Sequence, residues 1–188
     1  KDLRKQLSKT HHVPPFVIFQ DASLEDMATQ YPITMDDMAG VSGVSQGKAQ
    51  RYGRPFLELI GEYVEANDID RPTDLVVKQV ANKSKSKVAI ISAVDRKIPF
   101  DDIASSNNMS MEDLLQEMEM IVASGTKLNI DYYVDEEVDE YTKEDIYDYF
   151  MQAETDSVEE ALKELQEDDI TLEEIQLVRI KFMSDMAN

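Results

Sequence analysis

Gly40-Val41-Ser42-Gly43-Val44-Ser45 places two glycines three residues apart, and Lys48 and Arg51 follow one and two turns into the next segment. Glycines at such spacing carry backbone conformations closed to other residues. A turn that opens a helix directs backbone N–H groups toward an anion. Cationic side chains behind it reach outward to phosphate oxygens as charge-assisted donors. The chemistry these residues offer is anion recognition. They also allow a plainer reading, a tight interhelical turn with Val41 and Val44 buried beneath it. Covalent or metal chemistry finds no support: the chain has no Gly-Lys-Thr/Ser phosphate loop, no His-Glu-x-x-His and no nucleophile with a base beside it. The adjacent pair His11 and His12 has no third ligand suggested and is expected as surface polarity.

The chain of 188 residues, 42% hydrophobic, is long enough for one or two domains with a real core. It contains no cysteine, which excludes disulfides and thiolate metal sites and fits a reducing compartment. No apolar run approaches the roughly 18 residues that span a membrane, and no signal peptide is visible. The chain begins at Lys1 and not Met, and the expectation is an excised piece of a longer protein. The net charge of −20 is unevenly placed. Residues 1–72 hold 8 basic and 11 acidic side chains, whereas residues 73–188 hold 11 and 28. Such a step predicts two units with different tasks. The second should repel phosphate on average, although its segment Lys78–Lys87 is basic and either grazes a phosphate backbone or keeps a linker soluble.

The elements that must position these groups are helical. Ser or Thr followed three residues later by an acid marks helix starts at Ser23, Thr34, Ser110, Thr142, Ser157 and Thr171. The predicted helices are 2–9, 24–30, 35–39, 45–52, 55–67, 74–80, 86–95, 100–105, 111–124, 143–153, 158–167 and 172–186. Gly53 is expected to end one helix and Pro55 to open the next, while Pro14 and Pro15 are expected to hold an extended segment. Thr126–Val134 alternates and reads partly as strand. The linker is placed at Asn67–Asp74.

Gly43-Val44-Ser45 resembles the turn of a helix-hairpin-helix, with Ser45 in place of the usual second glycine. That exchange keeps an N-cap but limits close backbone approach, so the Gly40–Val44 turn is expected to be chiefly structural. Leu3–Val64 as a whole resembles the helicase-and-RNase-D C-terminal (HRDC) domain, in the version found in bacterial RecQ-family DNA helicases. The matching features are "LRK", "VPPFVIFQDASL", "YPIT", "GVSGV" and "K-x-x-R-Y-G-x-P-F". The resemblance implies a compact bundle of about five helices that serves as an auxiliary module for single-stranded or branched DNA. It makes Lys5, Lys9, Lys48, Arg51 and Arg54 the candidate phosphate partners. Phe16 stands where the bacterial motif often has Tyr, and is either a base-stacking ring or part of the buried "FVIF" block.

"FDDIASSNNMSMEDLLQEMEMIVASG" follows a helix-turn-helix pattern and resembles the domain that succeeds the first module in some RecQ-family helicases. Its second helix is expected to expose Glu112, Asp113, Gln116, Glu117 and Glu119. A helix that reads the major groove presents Arg, Lys, Asn or Gln, so a structural or protein-docking role is the stronger expectation here. The acidic "DYYVDEEVDE" lacks the calcium-loop pattern. The expected architecture is mainly α. An HRDC-like bundle over 1–72 is followed by an acidic, all-helical helix-turn-helix-like domain over 73–188, with at most a short β wing. The resemblance implies a non-catalytic accessory region of a RecQ-like helicase, with weak DNA binding by the first module and regulation or protein contacts by the second. The motor, using ATP and magnesium, would lie upstream and be a partner of this region. The expected location is cytoplasmic and nucleoid-associated. Two alternatives stand beside this: a protein-interaction region that binds no DNA, and the HRDC region of an RNase-D-like exoribonuclease.

Overall fold

A computed structural model describes residues 1–71, 84–165 and 170–186. The predicted helix 74–80, the 72/73 domain boundary and most of the basic segment Lys78–Lys87 lie outside these residues. The chain divides into two compact units, Lys1–Ala81 with Ala123–Gly125, and Asn82–Val122 with Thr126–Asn188. The described residues are helical, without a strand. None of their helices is long and apolar enough to cross a membrane.

The first unit carries α1 (Asp2–His11), α2 (Pro15–Ile18), α3 (Asp21–Gln30), α4 (Met35–Ala39) and α5 (Gln46–Asn67). Ile18, Phe19, Met27, Met38, Val41, Val44, Ala49, Tyr52 and Phe56 form its core. Phe19 meets Phe56 and Tyr52 edge-on, with ring centroids 5.1 and 6.3 Å away, the offset geometry aromatic quadrupoles favour. Arg4 is buried and ties α1 to this centre, donating 2.7 Å to the Phe19 carbonyl and pairing with Asp21 at 2.6 Å.

Two sequence expectations are corrected here. Pro14 and Pro15 do not exclude a helix, because Pro15 takes the first position of α2, where a missing N–H costs nothing. Gly53 and Pro55 do not divide α5, which runs through both. Proline inside a helix removes one hydrogen bond, but Tyr52, Gly53 and Phe56 are buried on either side of it and hold the helix together. Gly53 is needed for another reason: a Cβ there would lie 3.1 Å from Met38 Cγ, so its absence lets α4 close on α5.

The second unit begins with α6 (Ser84–Asp95), α7 (Phe100–Ser106) and α8 (Met111–Ala123, whose last residue falls in the first unit), and continues with α9 (Asp131–Glu137), α10 (Glu140–Gln152), α11 (Val158–Glu164) and α12 (Leu172–Met186). α12 packs against α9, α10 and α11. It buries Ile175, Leu177, Val178, Ile180, Phe182 and Met183, so its apolar surface wraps most of the way round. The predicted strand at Thr126–Val134 is absent; α9 begins within it. The period that decides the matter is four, not two, since Ile130, Val134 and Val138 are all buried. Tyr132 and Tyr133 both meet Phe100, the latter stacked at 3.8 Å. In place of a partner strand, the buried Ser184 hydroxyl accepts from Leu128 N at 2.8 Å and donates to Leu128 O at 2.6 Å.

Three basic side chains in this unit are used as internal clamps. Arg179 pairs with Glu119 at 3.0 Å and Asp156 at 3.1 Å. Lys143 pairs with Asp135 at 2.7 Å and Glu140 at 2.9 Å, and these carboxylates hold its ammonium above the ordinary lysine range. Lys181 bridges Asp131 and Asp185.

Candidate nucleic-acid interface

The hairpin turn between α4 and α5 is closed from within its own module. Ser23 and Asp26, expected to cap α3, lie inside that helix and act on the turn instead. Ser23 Oγ donates 2.9 Å to the Ser42 carbonyl, and Asp26 Oδ2 accepts 2.7 Å from Ser42 N. Gly43 adopts φ 73°, where side chains are strained. Ser45 caps α5 as expected, accepting from Lys48 N.

The candidate phosphate partners separate into two groups. Lys5 and Lys9, four residues apart on α1, are exposed, as is Arg51 on α5. Arg54 is exposed too but pairs with Glu58 at 3.1 Å, which offsets its charge toward an anion. Lys48 is the correction: it is only 7% exposed. Its ammonium lies 5.9 Å from the Phe19 ring centroid and donates 2.8 Å to the Ala123 carbonyl, so it faces into the unit. Phe16, 2% exposed, is buried with Val17, Ile18 and Phe19 and offers no open ring for a base.

Tyr52 joins what remains. The ring of His11, at the end of α1, meets the Tyr52 ring edge-on at 5.0 Å, and Arg51 Cζ lies 5.8 Å from the same centroid. The last turn of α1, bearing Lys9 and His11, is thereby brought beside Arg51 of α5. His11 is expected from sequence as surface polarity, and its Tyr52 partner lies 41 residues away with no short-range period joining them. The signal available in sequence was composition alone, a basic last turn.

In the second unit α7 and α8 are joined by a turn in which Asn108 is left-handed, φ 54°. Ser110 and Asp113 cap α8 reciprocally, with hydrogen bonds of 3.1 Å in each direction, and the Ser110 bonds hold the Asp113 carboxyl below its ordinary range. Glu112, Asp113, Gln116 and Met120 face outward. Glu119 does not, being held by Arg179 and by Gln176 at 3.0 Å each.

Two family models match, the HRDC domain over residues 1–60 and the RecQ-1-like helix-turn-helix domain over residues 84–134. The ATP-dependent DNA helicase RecQ of Haemophilus influenzae is 39% identical over 61 residues, 32% of this chain and 10% of the relative. The protein of the same name from Bacillus subtilis is 36% identical over 66 residues, 35% and 11% of the two chains. The mouse bifunctional 3'-5' exonuclease/ATP-dependent helicase WRN is 29% identical over 98 residues, 52% of this chain and 7% of the relative. The chain spans about a tenth of the length of the curated bacterial relatives it matches. Residues 1–60 thus match the HRDC domain and residues 84–134 the RecQ-1-like helix-turn-helix domain, in the order expected of the C-terminal region of a RecQ helicase.

Proposed function

We propose that the first module is an auxiliary nucleic-acid contact of a RecQ-like DNA helicase, and that single-stranded or branched DNA binds weakly along the face formed by the end of α1 and by α5. The observation that carries this reading is the Tyr52 ring, which sets His11 and Arg51 together; exposed Lys9 belongs to the same last turn of α1 as His11. Phosphate contacts of this kind position a strand without reading its sequence. ATP hydrolysis, with its magnesium, belongs to a motor elsewhere in the parent protein. The acidic module serves regulation or protein contact, for which the outward acids of α8 are the supporting feature. The RecQ-1-like match over 84–134 favours a helicase parent over an exoribonuclease.

Fluorescence anisotropy at low salt, with a labelled single strand and a fork, tests the assignment. Residues 1–72 should bind at micromolar affinity or weaker, and at least as tightly as the whole chain, because the part removed carries most of the −20 charge. Tighter binding by residues 73–188 would refute it. A second reading, a protein-interaction region that binds no DNA, is favoured by that same charge and predicts no anisotropy change for either piece.

A further inference from the structure

The hairpin turn already holds an anion, and it is the protein's own. Asp26 Oδ2 accepts from Ser42 N at 2.7 Å, while Gln30 Nε2 fixes the other carboxylate oxygen at 2.7 Å. Ser23 Oγ clasps the Ser42 carbonyl, and stands 2.9 Å from where a Gly43 Cβ would lie. A charged acceptor on a backbone N–H is the interaction a phosphate oxygen would make. Ser42 is nevertheless exposed, so the position is open to solvent on its outer side.

Building on the nucleic-acid reading above, we propose that the Asp26 carboxylate occupies the anion position of the turn and bars phosphate from it. Asp26 is thereby a specificity-determining residue of the module. It rejects the backbone-mediated phosphate grip that the Gly-Val-Ser-Gly pattern suggests, and leaves contact to Lys9, His11 and Arg51. The repulsion is both steric and electrostatic: one N–H cannot serve two anions, and a fixed carboxylate disfavours a second negative group within a few ångströms.

The test uses the intact, isotopically labelled chain, titrated in NMR with oligothymidine and, separately, with inorganic phosphate. In the native protein the Ser42 and Gly43 amides stay still with both, while the Lys9, His11 and Arg51 amides shift with oligothymidine. Movement of Ser42 or Gly43 in the native protein overturns the proposal. In Asp26→Ala those two amides shift with inorganic phosphate. Affinity for oligothymidine then rises by about three-fold or more over Glu25→Ala, which removes an equal charge from the neighbouring position. Equal gains in the two variants, with still amides, also overturn it. If Asp26→Ala does not fold, the native titration alone decides. Should oligothymidine leave Lys9 and Arg51 unmoved while Asp26→Ala answers to phosphate, the DNA reading fails and the assignment of Asp26 survives.

Discussion

Gly43 and Gly47 sit four residues apart and should respond in opposite directions to an added side chain. Gly43 is left-handed, at φ 73°, and its Cβ would crowd Ser23 Oγ. Gly43→Val should lower stability by about 1–3 kcal/mol, from backbone strain and the displaced strap. Gly47 lies in the first turn of α5 with only Ser45 Oγ near, at 4.0 Å. Gly47→Ala should raise stability by about 0.5–1 kcal/mol. Thermal melts by circular dichroism separate the two, and a Gly43→Val protein as stable as the native one would refute the account of the turn. At this scale the sequence showed which residue types could meet phosphate but not which way they face. Lys48 and Arg51 look alike on paper, one turn apart on one helix. Their difference arises from the Phe19 ring and the Ala123 carbonyl, which come from distant parts of the chain.

Arg71 closes the first module from beyond the end of α5. It donates to Asp37 at 3.0 Å, and both side chains are largely buried. Burial alone would push the Asp37 carboxyl up, but hydrogen bonds from Thr34 and Arg71 outweigh it and hold the group below its ordinary range. A depressed carboxyl stabilises the fold above its unfolded pKa, and that contribution is lost as pH falls through the folded value. Arg71→Ala should therefore cost about 1–3 kcal/mol at neutral pH, and the gap from the native protein should narrow below about pH 4. A gap that stays constant down to pH 2 would contradict the ion pair. In the second unit Ser184→Ala should cost about 1–3 kcal/mol, because it strips both backbone groups of the buried Leu128; urea melts measure it. Helix starts were legible where a hydroxyl and an acid lie three apart and the helix has no earlier claimant. Thr34, Ser110, Ser157 and Thr171 cap as expected. Thr142 does not, because Asp139 accepts from Tyr141 and Thr142 first. The strand reading at Thr126–Val134 failed because alternation over a few residues looks the same whether or not a partner strand exists, and here Ser184 and Phe100 supply the contacts.

The chain carries a modest basic face on its first unit, and its second unit is strongly acidic. The domain families were legible because a series of short motifs in fixed order is specific even where each is weak alone. The proposed binding face was only partly legible, since it depends on α1 meeting α5 around Tyr52. The most direct test is the salt dependence of single-strand binding by the whole chain. Lys9→Ala with Arg51→Ala should weaken binding at least about five-fold at low salt, and should make the slope of log affinity against log salt shallower by about 1.4, as two phosphate contacts are lost. Lys127→Ala with Lys163→Ala removes the same charge from exposed positions of the second unit. It should stay within about two-fold of the native protein, with the slope unchanged. Equal losses in both double variants, or an unchanged slope without Lys9 and Arg51, would contradict the assignment of this face to nucleic acid.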